Sequence, residues 1–147
     1  MPDHPELEAL PEWPIRTIAV LATVDQGPYA VPISAPLRDG DRRILFSLHR
    51  SRGSLARLRK RAQVAVTVLT AGDVAFTARG RALVLQEPLS GTPDYVAVAV
   101  DVEHVDDHRQ PAFSVDSGVG RRWVDESEQR DLGERVAALR DLAASRD

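Results

Sequence analysis

The chain has 147 residues, 43% of them hydrophobic and 28% charged, enough for one domain around a single substantial core. It contains no cysteine, so disulfides, thiolate metal sites and thiol catalysis are excluded, and any redox chemistry needs a bound cofactor. A formal net charge of -3 argues against general nucleic-acid binding, which rests on a broad positive field.

Residues 1–14 carry Pro2, Pro5, Pro11 and Pro14, with Leu7 and Leu10 between them. They read as an irregular arm with room for one helical turn, packed on the main body at residues 15–147. Met1 to Glu6 lack the basic start and apolar run of a signal peptide, and no segment approaches membrane-spanning length. A cytoplasmic protein without a membrane partner is the expectation.

Ile15 to Val24 is rich in β-branched residues, and Asp25, Gln26, Gly27 and Pro28 supply a turn into a second strand from Tyr29 to Leu37. A turn at Arg38 to Asp41 leads to a third strand, Arg43 to Leu48. A short basic helix follows, then a fourth strand from Gln63 to Leu69 and a fifth from Val74 to about Gln86. Gly80, between Arg79 and Arg81, marks a bulge or a close approach within the fifth strand.

After a linker over residues 87–94, Val96, Val98, Val100 and Val102 identify a sixth strand. Asp125 and Glu128 have capping-box spacing, and Leu132, Val136, Leu139 and Leu142 form the apolar stripe of a last helix over about 126–145. Gly133 lowers the intrinsic stability of that helix. Tight turns and a lack of crossover helices predict a mainly β fold, an antiparallel six-stranded barrel with one short helix between strands three and four and one helix at the end.

The basic helix is the strongest local signal, because no acidic side chain occurs from His49 to Gln63. For a helix starting near Ser51, Arg50, Ser54, Arg57 and Arg61 share one face, while Leu55, Leu58 and Ala62 dock on the sheet. A phosphate at its start would meet unpaired N–H groups and the positive dipole end, each worth roughly 0.3–1 kcal/mol, with forked arginine contacts added. The competing reading is a solvated helix face, and it accounts best for Arg59 and Lys60.

The same order of elements, with the segments IAVLATVDQGPYAVPIS, ILFSLHRSRGSLARLRKRAQVAVTVL and VAFTARGRALVL, resembles the pyridoxamine 5'-phosphate oxidase-like flavin-binding split β-barrels over roughly residues 15–86. The resemblance implies a homodimer with FMN, or alternatively the deazaflavin coenzyme F420, in a groove between subunits. It implies transfer of hydride or electrons to a small-molecule substrate, with a non-catalytic flavin-storage protein as a further alternative. Val31, Pro32, Ile33 and Ser34 would border the ring with backbone groups, and Arg50, Ser51, Ser54 and Arg57 would hold the phosphate. Ser47 and His49, where the third strand enters this turn, complete the cofactor-binding set. Many relatives have Lys in place of Ser54 and Asn in place of Arg57, so here the arginines must supply the charge.

Other chemistry is poorly supported. His104 and His108 on one strand would stand roughly 13 Å apart, too far to share an ion, so no metal is expected. No serine lies in a nucleophile elbow, and no catalytic residue is identified, as suits chemistry carried by a cofactor. Trp123, preceded by Arg121 and Arg122, is the best candidate for a lid.

Overall fold

The computed structural model describes residues 5–145; Met1, Pro2, Asp3 and His4 lie outside the described residues. Six long strands follow the expected order: β2 (Ile18–Val24), β3 (Pro28–Ser34), β5 (Arg43–His49), β6 (Gln63–Thr70), β7 (Val74–Gln86) and β8 (Tyr95–Asp107). Two short strands, β1 (Glu6–Leu7) and β4 (Leu37–Arg38), add to them, together with helices α1 (Gly53–Lys60) and α2 (Glu126–Ala144). The described arm is otherwise irregular and holds β1, paired with β8 through Leu7 and Val105. Trp13 and Leu10 then pin the arm, the first donating from Nε1 to the Pro36 carbonyl and the second from its N–H to that of Asp41.

The sheet is antiparallel throughout, in the order β3-β2-β6-β7-β8-β5-β4. It curls until β3 approaches β5 across the gap, giving a split β-barrel with its seam between those two strands. Inward residues such as Leu21, Ile44, Phe46, Val66, Phe76 and Val98 fill the interior and are fully shielded. Each such side chain contributes roughly 1.5–3 kcal/mol of burial.

Gly80 lies where the β7–β8 register shifts, and a Cβ placed there would fall on the Asp101 carbonyl oxygen. The bulge reading of that glycine holds. The expected second strand breaks at Ala35, whose φ of 52° ends β3 before β4 begins.

The first half of β8, up to Val100, is buried on both faces, because α2 covers the outside of β5 and of β8 there, while Asp101, Glu103 and His104 are exposed in its second half. Leu139 packs there with Leu45, Leu89, Ala97 and Ala99, and the small alanines let the helix approach. Asp125 is its N-cap and accepts from the Ser127 N–H at 2.9 Å. A strap over residues 108–124 connects β8 to α2. Asp73 and Val115 hold it through two hydrogen bonds, and Gly118 lets it pass close over Leu69 and Thr70.

Candidate functional site: the seam of the barrel

α1 begins at Gly53, two residues later than the basic pattern implies. Its start is set by the turn before it. The Ser51 N–H donates to His49 Nδ1 at 3.2 Å, and the Arg52 N–H donates to the His49 carbonyl. Arg52 is extended and serves as N-cap.

This delay dissolves the expected four-residue face, since Arg50 precedes the helix and Arg61 is its C-cap. Arg50 is exposed, with Nε 3.5 Å from an Asp94 carboxylate oxygen. Ser54 is turned into the protein, while Arg57 reaches across to β2 and β3. Its Nε donates to Thr23 Oγ1 at 2.9 Å, and its guanidinium lies over the Tyr29 ring. Leu55 and Leu58 are buried against the sheet, as the pattern requires.

A cleft of about 220 Å³ opens at the seam. β3 contributes Ile33 and Ser34 to it, and β5 contributes Ser47 and His49, so four of the sequence-derived residues share one wall. Arg50, Ser51, Ser54, Arg57, Val31 and Pro32 do not line it. Arg52 does, at the mouth of α1, and so does Tyr95 at the start of β8. The strap and α2 close the far side with Arg121, Trp123 and Arg135.

The electrostatics favour an anion. The Ser51 N–H makes His49 Nδ1 an acceptor, so the neutral ring carries its proton on Nε2. Arg121 donates to the Ser34 hydroxyl at 2.9 Å and stacks on Trp123. Arg52 and Arg135 have no carboxylate partner among the described residues, and Glu128 is the one acidic residue in the lining. α1 has no side-chain cap and no acid in its first turn, and Ser54 Oγ at its second position is buried without a hydrogen-bond partner. Such an uncapped start is a natural anion contact.

A second cavity of about 460 Å³ continues from the first, sharing Arg121, Trp123 and Leu132. Val119, Ile15 and Val136 make it more apolar. Trp123, singled out as a lid, therefore separates two compartments. His104 and His108 have separate partners, Glu6 and Thr77, and no metal-binding cluster occurs among the described residues.

Sequence reasoning passed over Arg52, Tyr95, Arg121 and Arg135. One of them had a readable signal: Arg135 stands in register with Leu132, Leu139 and Leu142, an ionised residue within an apolar stripe.

No family model and no curated protein matches the chain. Solved structures do resemble it. A candidate pyridoxamine 5'-phosphate oxidase from Lactobacillus delbrueckii is 18% identical with a TM-score of 0.58, over 68% of this chain and 97% of that one. A FAD-binding protein from Mesorhizobium loti is 18% identical with a TM-score of 0.51, over 61% and 83%. An F420 reductase is 17% identical with a TM-score of 0.52, over 63% and 91%. At these identities the likeness establishes architecture, and the sequence resemblance and the three-dimensional match agree: the chain has the fold of the pyridoxamine 5'-phosphate oxidase-like split barrels.

Proposed function

We propose that the chain binds a flavin-type cofactor at the seam and acts as an oxidoreductase on a small organic molecule, with FMN as the cofactor and coenzyme F420 as the alternative. One observation carries this reading: the end of β3, the end of β5 and Arg52, the N-cap of α1, converge on a single cleft in which three arginines face one acid. Solved neighbours described as a FAD-binding protein and an F420 reductase support the cofactor class.

The residues present suit such a ligand. Arg52, the N-cap of α1, would meet a phosphate in the cleft, whereas Ser54 is buried and Arg50 and Ser51 lie in the same turn outside the lining. β3 is the terminal strand of the sheet, so its outer edge has backbone groups that the sheet does not use, and Val31 to Ser34 would border a ring there. Bound at that edge, a flavin supplies hydride or electron transfer, while the chain supplies position, charge and exclusion of water. Arg121 and Trp123 are placed for the last task.

A homodimer belongs to this proposal. Val20, Val24, Leu69 and Leu83 are exposed on the outward side of β2, β6 and β7, interspersed with Thr67, Thr77, Arg79 and Arg81, and this mixed face is the one a second copy would cover.

Titration with FMN and with coenzyme F420, read by absorbance and by mass measurement of the intact assembly, tests cofactor and oligomer together. Saturable binding of one of them to a dimer is expected, and binding of neither defeats the reading. Anaerobic reduction followed by a panel of acceptors separates an oxidoreductase, which is reoxidised, from a storage protein.

A further inference from the structure

Arg135 is out of place for a structural arginine. It lies on the covered face of α2, 9% exposed, and its Nε is shielded from solvent without a hydrogen-bond partner. Among the described residues no carboxylate pairs with it. Its contact is the Tyr95 ring, 3.9 Å from the guanidinium carbon. A ring face offsets part of the desolvation of a cation but accepts no in-plane hydrogen bond, so Nε stays shielded and unpaired while the two Nη groups are left for whatever fills the cleft. Burying an ionised group in this state is costly, and proteins offset that cost with a counter-charge.

The surroundings show where one would come from. Arg135 faces the 220 Å³ cleft, which Arg52 and Arg121 also line. On the other side of Trp123 and Leu132 the space widens into the 460 Å³ cavity with walls from Val119 and Val136. Arginines line both parts, Arg52 and Arg135 beside Glu128 in the smaller and Arg16 and Arg140 in the larger, and the larger adds the apolar wall of Ile15, Val119 and Val136.

We propose that Arg135 anchors an oxyanion site built by α2, and that the site takes a phosphate- or carboxylate-headed molecule whose ring-sized apolar body lies in the adjoining cavity. Tyr95 holds the guanidinium flat, Arg52 and Arg121 add charge, and Trp123 marks the boundary between head and body. The proposal shares its cleft and Arg52 with the flavin reading, but it rests on Arg135 and does not require a flavin.

Phenyl phosphate and benzoate serve as probes, with benzyl alcohol as the uncharged control, titrated calorimetrically into the wild type, Arg135→Met and Arg135→Lys. Arg135→Met should weaken both anions about tenfold or more, the scale of a charge-assisted contact, and leave benzyl alcohol unaffected. Its melting temperature without ligand should equal or exceed that of the wild type, because an uncompensated buried charge is gone. Unchanged anion affinity overturns the proposal, as does a lower melting temperature combined with wild-type affinity, the result for a purely structural arginine. Arg135→Lys retains the charge but not the fork, and an intermediate affinity is expected.

Trp123→Ala provides a check that does not touch the anchor. It should weaken phenyl phosphate but not inorganic phosphate, and equal losses for the two would refute the head-and-body arrangement. FMN as competitor separates the sources. Displacement of phenyl phosphate assigns the head to the cofactor and simultaneous binding assigns it to a substrate, in both cases with dependence on Arg135. A protein that ignores FMN yet binds phenyl phosphate through Arg135 would end the flavin reading and uphold this one.

Discussion

The Arg57 guanidinium carbon lies 4.0 Å from the centre of the Tyr29 ring, and its Nε donates to Thr23, so one side chain of α1 fastens both strands of the β2–β3 hairpin. Arg59, two residues on, makes an exposed ion pair with Glu87. Arg57→Ala should therefore cost about 1–2 kcal/mol, combining a partly buried hydrogen bond with a cation–π contact. Arg59→Ala should cost less than about 1 kcal/mol. Urea denaturation of the two variants measures the difference, and equal midpoints would show that the clasp adds no stability.

Two glycines should respond to alanine with opposite signs. At Gly80 a Cβ would overlap backbone, the Asp101 carbonyl, so the β7–β8 ladder must shift and a loss of about 3 kcal/mol is expected. At Gly133, within α2, a Cβ would meet nothing within 4 Å. Gly133→Ala should stabilise by about 0.8–1 kcal/mol through helix propensity. Thermal melting of both variants checks the pair of signs.

Acid should unfold the protein partly through Asp107. Arg109 donates to this buried carboxylate from Nε and Nη2, and that pairing holds the Asp107 pKa below its ordinary value. A depressed folded pKa stabilises the native state above the unfolded value of about 3.9, and the contribution disappears as pH falls through the lower folded value. Arg109→Ala should lower stability at neutral pH and flatten its decline below about pH 4. Urea midpoints measured from about pH 6 down to about pH 2.5 give the slopes, and parallel curves for the wild type and the variant would remove Asp107 from the account.

Most of the barrel was legible because its signals are local. β-branched runs, turn residues and a lone glycine between arginines specify strands, hairpins and a bulge whatever lies elsewhere in the chain. The α1 start was misplaced because a side chain outside the helix decides it: His49 accepts the Ser51 N–H and holds the chain in a turn for one further step. Arg57 was read as facing outward, yet Tyr29 and Thr23, more than 25 residues away in sequence, draw it inward. The β3 and β5 residues that line the cleft, Ser34 and Ser47 among them, came from the family resemblance and not from a local signal, and it is the curl of the sheet that brings those two strands together. The other wall of the cleft consists of a strap and a helix more than 70 residues downstream, and only tertiary docking tells which of their side chains turn toward the seam.

The two tryptophans stand in environments different enough to report on the site separately. Trp13 donates from Nε1 to the Pro36 carbonyl at 2.8 Å and packs on Phe76, with ring centroids 5.5 Å apart, away from both compartments. Trp123 lies beneath the Arg121 guanidinium, 4.7 Å from its carbon, and lines both cavities. A ligand that enters the seam must alter the Arg121 stack or the solvent around the indole, so phenyl phosphate, which does not absorb indole emission as a flavin does, should change the emission of Trp123 alone. Trp13→Phe should retain the full ligand-induced change and Trp123→Phe should lose it, both variants being titrated under the same conditions. The opposite pattern would place the ligand at the arm and away from the barrel seam.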